Sequence, residues 1–151
     1  AGTFFEIAGC YKRYHAPLCR TVFLGKPPKA MLAAEEALQE GIAIGINKAR
    51  AGNTAGDVAS AFGAVLDKHG IYREGRCGYP IGLGYPPDWG ERTFSIKPDD
   101  TTVLRANMTF HFMPGLWMDT WGLEITEPLL VRDTGPAESL ADYPRKLFVK
   151  V

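Results

Sequence analysis

Residues Thr3–Gly25, "TFFEIAGCYKRYHAPLCRTVFLG", hold two long runs of alternating side chains around a polar crest at Cys10–Arg13. Alternation with period two marks a strand whose two faces meet different surroundings. Two such arms joined by a short polar crest predict a long β-hairpin. In the first arm Phe4, Glu6 and Ala8 share one face, and Phe5 and Ile7 share the other. Pro17 marks an edge or a bulge in the second arm, and Gly25 ends it. A chain that commits more than twenty residues to one hairpin must supply other elements to cover it.

Those elements follow at once. Pro27 and Pro28 suit the first turn of a helix, where a missing N–H is not needed. Met31, Leu32, Leu38, Ile42, Ile46 and Ala49 recur near the helical period and predict an amphipathic helix over Lys29–Arg50, weakened by Gly41 and Gly45. Residues 51–54, "AGNT", break it. Thr54 followed by Asp57 predicts a capped second helix, with Asp in place of the usual Glu. Val58, Phe62, Val65 and Leu66 form its buried stripe, and Gly70 stops it. His69, in its last turn, reads as a solvated helix-end cation.

Beyond a loop of glycine, proline and aromatic residues at Arg76–Thr93, the pattern turns to strands. Arg92–Ile96 reads as a short strand and Lys97–Leu104 as a turn feeding another. Met108–Met118 alternates with a break at Pro114–Gly115, Gly122–Val131 alternates until Pro128, and Arg145–Val151 closes the chain. Hairpin, two helices and then strands is an α+β order, with the helices covering one face of an antiparallel sheet.

Composition narrows the function. Seventeen basic and 17 acidic residues give a formal net charge of zero. Nothing in that balance points to nucleic acid or an acidic membrane as partner, and no apolar run is long enough for a membrane-spanning helix. Cys10, Cys19 and Cys77 are odd in number and lack a CxxC pair. They read as reduced thiols of a cytoplasmic protein, not as a disulfide or zinc framework.

Five stretches taken together resemble the pita-bread superfamily of creatinase, prolidase and methionine aminopeptidase, and within it the ectoine hydrolases. They are "GTFFEIAGCYKRYHAPLCRTVFLGKP", "GYPIGLGYPPDWGERT", "MTFHFMPGLW", "GLEITEPLLV" and "PRKLF". The resemblance covers almost the whole chain. It implies that residues 1–151 are the C-terminal portion of a pita-bread catalytic domain, preceded by an N-terminal domain and the start of the catalytic domain. The fold expected is a partial pita-bread, a curved antiparallel sheet with helices on its outer face. A piece of this kind is expected to self-associate, and the family implies a homodimer.

The superfamily's metallopeptidases hold two metals through two Asp, one His and two Glu. Matched by motif, those positions fall here on Glu6, Pro17, Tyr79, Met113 and Thr126. Only Glu6 is a metal ligand by chemistry, so the resemblance implies a site without metal and without any other cofactor. Strand alternation then adds residues two positions away on the same face. His111 precedes Met113 by two, Glu124 precedes Thr126 by two, and His15 precedes Pro17 by two. Glu127 has the opposite parity and reads as structural.

A site lined by Glu6, His15, Tyr79, His111 and Glu124 suits a small amidinium or guanidinium acid. Carboxylates hold such a cation by paired hydrogen bonds, and its carbon is electrophilic without a Lewis acid. The expected reaction is hydrolysis of a C–N bond of ectoine's cyclic amidine. Glu6 would be nucleophile or base, His111 the proton-transfer partner, and Glu124 would orient His111 or hold a ring nitrogen. His15, Tyr79, Tyr85 and Trp117 would bind and wall the substrate, with Trp89 of the loop beside Tyr79 and Tyr85. Asp88, Glu91 and Arg92 would fix the loop through local ion pairs, with Arg92 alternatively meeting a substrate carboxylate. Two other readings compete: a creatinase-like or Xaa-Pro dipeptidase-like relative, and a non-catalytic fragment or dimerisation module.

Overall fold

The computed structural model describes all 151 residues. Strands β1 (Gly2–Tyr11) and β2 (Tyr14–Leu24) form the expected hairpin, antiparallel and in unbroken register from Tyr11↔Tyr14 to Gly2↔Phe23. Lys12 and Arg13 make the two-residue turn with φ of 47° and 70°, the left-handed conformations that twisted hairpins demand. Pro17 lies opposite Ala8 with no bulge, so alternation along β2 is undisturbed. Cys19 stands across from Glu6, and His15, Pro17, Cys19 and Thr21 therefore share the Glu6 face.

Helices α1 (Lys29–Lys48) and α2 (Ala55–Lys68) follow. Leu32, assigned to the buried stripe of α1, is exposed; Ala34, Ala37, Gly41 and Gly45 are buried instead. The two glycines that lower helix propensity are contact points. A Cβ at Gly41 would lie 2.7 Å from the Phe62 ring, and one at Gly45 would lie 2.5 Å from Phe112. Close approach to α2 and to the sheet explains residues that look like defects in the sequence. In α2 the Thr54–Asp57 capping box is complete in both directions. His69 and Lys68 both meet Glu40 of α1, at 2.8 and 3.0 Å, so His69 joins the two helices.

The remaining strands are short: β3 (Gly78–Pro80), β4 (Thr109–Phe112), β5 (Gly115–Trp117), β6 (Gly122–Glu124), β7 (Glu127–Leu130), β8 (Glu138–Ser139) and β9 (Phe148–Lys150). They pair in the orders β1-β2-β9, β3-β4-β7-β8 and β5-β6, all antiparallel except β2 with β9. Isolated pairs at Arg20↔Ile125 and Tyr14↔Leu83 tie the sheets together. Three expectations change. Arg92–Ile96 is not a strand, and only Ile96 bonds to the Cys77–Gly78 backbone. Residues 97–104 form no strand either, because their carbonyls serve α2: Thr102 O and Asp100 O accept from Ala55 and Gly56 N–H at its first turn. Pro128 does not end a strand; it sits inside β7 opposite His111, and its carbonyl accepts from Leu140 N–H.

Alternation divides the sheet into two sides. Phe110, Phe112, Leu123 and Ile125 join the helices in one core of 23 buried residues. His111, Glu124 and Thr126, between them in sequence, point the other way, toward the Glu6 face of the hairpin. No helix is long and apolar enough to cross a membrane.

Candidate active site

The site is a polar seam between the hairpin and strands β3, β4 and β6. Thr21 fixes its geometry: its hydroxyl donates to the Glu124 carbonyl at 2.9 Å and accepts from the Glu124 N–H at 2.8 Å. Cys19 N–H donates to Thr126 Oγ1 at 2.7 Å, and Thr126 N–H donates to the Cys19 carbonyl. Hairpin and sheet are thereby held in one register, which brings Glu6, Cys19, His111, Glu124 and Thr126 together.

His111 is wholly buried and engaged at both nitrogens. Nδ1 lies 2.8 Å from Tyr79 Oη and Nε2 lies 2.6 Å from Thr126 Oγ1. Trp89 Nε1–H donates to the same Tyr79 oxygen at 2.9 Å. Burial pushes the His111 pKa down to about 3, so the ring is neutral near pH 7. Glu6 Oε1 stands 3.9 Å from His111 Nδ1; with a neutral ring this is proximity, not an ion pair.

Neither carboxylate is in ion-pair contact with an Arg or Lys; Arg73 acts on Glu124 only from beyond salt-bridge distance. Glu124 is buried and makes no salt bridge; its side chain accepts only from the Cys19 thiol, Sγ to Oε2 at 3.3 Å. Desolvation raises its pKa and the negative charge of Glu6 adds to the rise, offset in part by the Cys19 hydrogen bond and the Arg73 guanidinium. Glu6, partly exposed, is raised by desolvation too. Burial and the facing carboxylates hold the Cys19 thiol protonated. Two acids facing one space with no base in contact with either leave it electrostatically suited to a cation.

Other candidate residues sit around this centre. Phe4, on the Glu6 face, meets Trp117 edge to face at 5.2 Å, and Trp117 is largely exposed. His15 pairs with Cys10, whereas Glu6 pairs with Cys19; the offset puts His15 roughly 13 Å along the strand from Glu6. It packs beside Gly84 with a buried Nδ1 that has no partner. Tyr85 is exposed and stacks on Arg13 at the hairpin tip, 4.5 Å from ring to guanidinium. Of the loop ion pairs, only Arg92–Asp88 forms, at 3.5 Å, with Arg92 turned to solvent.

Sequence reasoning did not single out Cys19 or Arg76, whereas Trp89, expected as a wall of the site, instead donates to Tyr79. Cys19 was legible in principle, since the hairpin register puts it opposite Glu6. Arg76 stands 4.8 Å over the Tyr79 ring and pairs with no acid; nothing in its spacing signalled that.

A metal pair does not fit these donors. Pro17 and Met113 offer no hard ligand, while Tyr79 Oη, Thr126 Oγ1 and both nitrogens of His111 are committed to one another. No group of three His, Cys, Asp or Glu side chains is placed to hold a metal ion.

The model of metallopeptidase family M24 matches residues 3–133. The chain is 62% identical to the ectoine hydrolase of Halomonas elongata over 99% of its own length and 37% of that relative. It is 41% identical, over 96% of its length and 37% of the relative, to an uncharacterised hydrolase/peptidase of Sinorhizobium fredii. Among solved structures it superposes on a dipeptidase from Pyrococcus horikoshii with a TM-score of 0.88 and 26% identity, covering 99% of this chain and 41% of that one. The dipeptidase PepE of Mycobacterium ulcerans gives 0.88 at 28% identity, covering 98% of this chain and 39% of that one. The chain thus spans well under half the length of the proteins it matches.

Proposed function

The chain belongs to metallopeptidase family M24, and from that premise we propose that it carries the reaction centre of a metal-independent hydrolase that opens the cyclic amidine of ectoine. The observation that carries this reading is the pair Glu6 and Glu124, two desolvated carboxylates facing one space with no Arg or Lys in ion-pair contact, Arg73 acting on Glu124 only at longer range. An amidinium placed between them supplies the missing charge. The ectoine hydrolase at 62% identity supports the choice of substrate.

In this reading Glu124 holds the N–H edge of the ring by charge-assisted hydrogen bonds. Glu6, its pKa raised, attacks the amidine carbon or takes a proton from the water that does so. Breaking the ring C–N bond leaves an N-acetylated diaminobutyrate. Arg76, free of any acid partner at the rim, takes the substrate carboxylate, the role considered for Arg92. Phe4 and Trp117 wall the entrance. The donor set supports chemistry without metal, since the electrophile already carries positive charge.

Three free thiols fit a cytoplasmic protein. A homodimer belongs to the same reading, supported by the exposed Phe5 and Ile7 on the far face of the hairpin. The test is ring opening followed by NMR, with and without prolonged dialysis against a chelator. Turnover unchanged within about twofold is expected. Loss of turnover restored by a divalent metal overturns metal independence, and turnover of creatine or an Xaa-Pro dipeptide in place of ectoine overturns the substrate.

A further inference from the structure

The hydrogen bonds around His111 favour one place for its proton. Thr126 Oγ1 already accepts from Cys19 N–H. If His111 carried its hydrogen on Nε2, Thr126 would accept twice and its own hydroxyl hydrogen would have no acceptor in a wholly buried place. A buried donor left unpaired costs about 1–3 kcal/mol. With the hydrogen on Nδ1, Thr126 donates to Nε2 and every hydrogen on that side is used. Tyr79 Oη then accepts from both His111 Nδ1–H and Trp89 Nε1–H. Its two acceptor sites are filled, and its own hydrogen is the one left over; Tyr79 is 8% exposed against 0% for Thr126 and faces the partly open Glu6 side, so a hydrogen left over there costs less than one left on Thr126. Glu6 approaches His111 at the same nitrogen, 3.9 Å away, and its charge acts on the Tyr79 phenol.

We propose that Tyr79 is the proton donor to the leaving nitrogen, and that His111 is a positioning residue that acts through it. The proposal rests on the ring-opening reading above. His111 has no free nitrogen to offer a substrate, whereas Tyr79 has a free O–H held in place by two N–H donors. Those donors also stabilise the tyrosinate that forms for an instant.

The protons balance. Water gives one proton to Glu6 as its oxygen bonds the amidinium carbon. Tyr79 gives its proton to the ring nitrogen as the C–N bond breaks. The hydroxyl on the tetrahedral carbon becomes the amide carbonyl, and its proton restores Tyr79. The proton on Glu6 leaves with the amine as ammonium. One water is consumed, and Glu6 and Tyr79 end as they began.

The first test needs no substrate. Long-range proton–nitrogen correlation on protein labelled at its three histidines should show His111 as the Nδ1–H tautomer, neutral from about pH 8 down to about pH 5, as its lowered pKa requires. An Nε2–H tautomer overturns the proposal. The second test is kinetic, in the protein that opens ectoine. Tyr79→Phe should lower kcat by about 100-fold or more with little change in KM, the usual contribution of a positioned acid. The basic limb of the kcat–pH profile should vanish with the phenol. Fluorotyrosine, which acidifies the phenol and keeps its shape, should move that limb to lower pH even if Tyr79→Phe folds poorly. His111→Asn, which keeps an N–H toward Tyr79, should retain more activity than His111→Ala. Ring opening that survives Tyr79→Phe, or a limb unmoved by fluorotyrosine, overturns the donor role alone. Absence of ring opening by the unmodified protein overturns the substrate reading and the donor role together.

Discussion

Glu124 and Glu127 lie three residues apart, both buried, on opposite sides of the same stretch of sheet. Glu127 is fully compensated. Arg20 Nη2 meets it at 2.5 Å, Arg145 at 3.3 Å, and Ser139 donates to it as well. Arg20 also donates to the carbonyls of Cys19, Thr126, Tyr143 and Pro144, so one ion pair ties β2, β7 and the C-terminal segment together. Glu124 has a thiol for a partner and another carboxylate for a neighbour. Desolvating an acid is costly wherever it happens. Where the fold supplies the counter-charge, the acid organises chain; where it does not, the cost is left for a ligand to relieve. Parity along β6 and β7 makes the choice, since a shift of one residue would exchange the two environments.

The largest expected effect breaks the pocket side of this contrast. Glu6→Gln keeps shape and removes the nucleophile or base, and ring opening should fall by about 1,000-fold or more, within the span that positioned acid–base groups contribute. Thermal stability should be unchanged or slightly raised. Ring opening within about tenfold of the unmodified protein would remove Glu6 from the mechanism.

The next effect breaks the compensated side. Arg20→Ala strips Glu127 of its main partner, and losing one member of a buried pair costs about 3–5 kcal/mol. Urea unfolding near neutral pH should show it. Replacing Arg20 and Glu127 together with Leu should recover only part of the loss, because the carbonyls that Arg20 serves remain without their donor. Full recovery would mean that the ion pair, and not the carbonyl contacts, is what Arg20 contributes.

Much of this arrangement was legible in the sequence, and for a common reason. The hairpin, both helices and the opposite facing of Glu124 and Glu127 follow from period and parity, which sequence displays directly. The same parity brought Glu6, His111 and Glu124 to one seam. What was not legible depends on partners distant in sequence. Gly45 looks like a weak point in α1 until Phe112, far along the chain, is seen against it. Residues 100–102 look like a strand until their carbonyls are found capping α2. His15 shares the Glu6 face as parity requires, yet sits too far along the ladder to stand beside it, since parity fixes a face and not a distance. The commitment of both His111 nitrogens is likewise a property of β3, β4 and the link between β6 and β7 at once.

The smallest effect tests the uncompensated acid through stability alone. Glu124→Gln keeps an oxygen to accept from the Cys19 thiol and abolishes the charge. The folded-state pKa of Glu124 is raised above its ordinary value of 4.5 by desolvation and by Glu6. Folded protein therefore binds more protons than unfolded protein in the interval between the two values, and stability falls as pH rises through it. Below the unfolded value both states are protonated and the penalty is absent; above the folded value it is complete. Glu124→Gln should accordingly match the parent in Tm at about pH 4 and exceed it at about pH 8. The gain should be a few degrees at most, since about 1 kcal/mol moves Tm by about 2–4 °C in a chain of this length. Glu127→Gln, measured alongside at about pH 8, should lose stability, because there the charge is answered by two arginines. A pH-independent gain at Glu124, or a gain at Glu127, would erase the distinction between a charge held for structure and a charge left for a ligand.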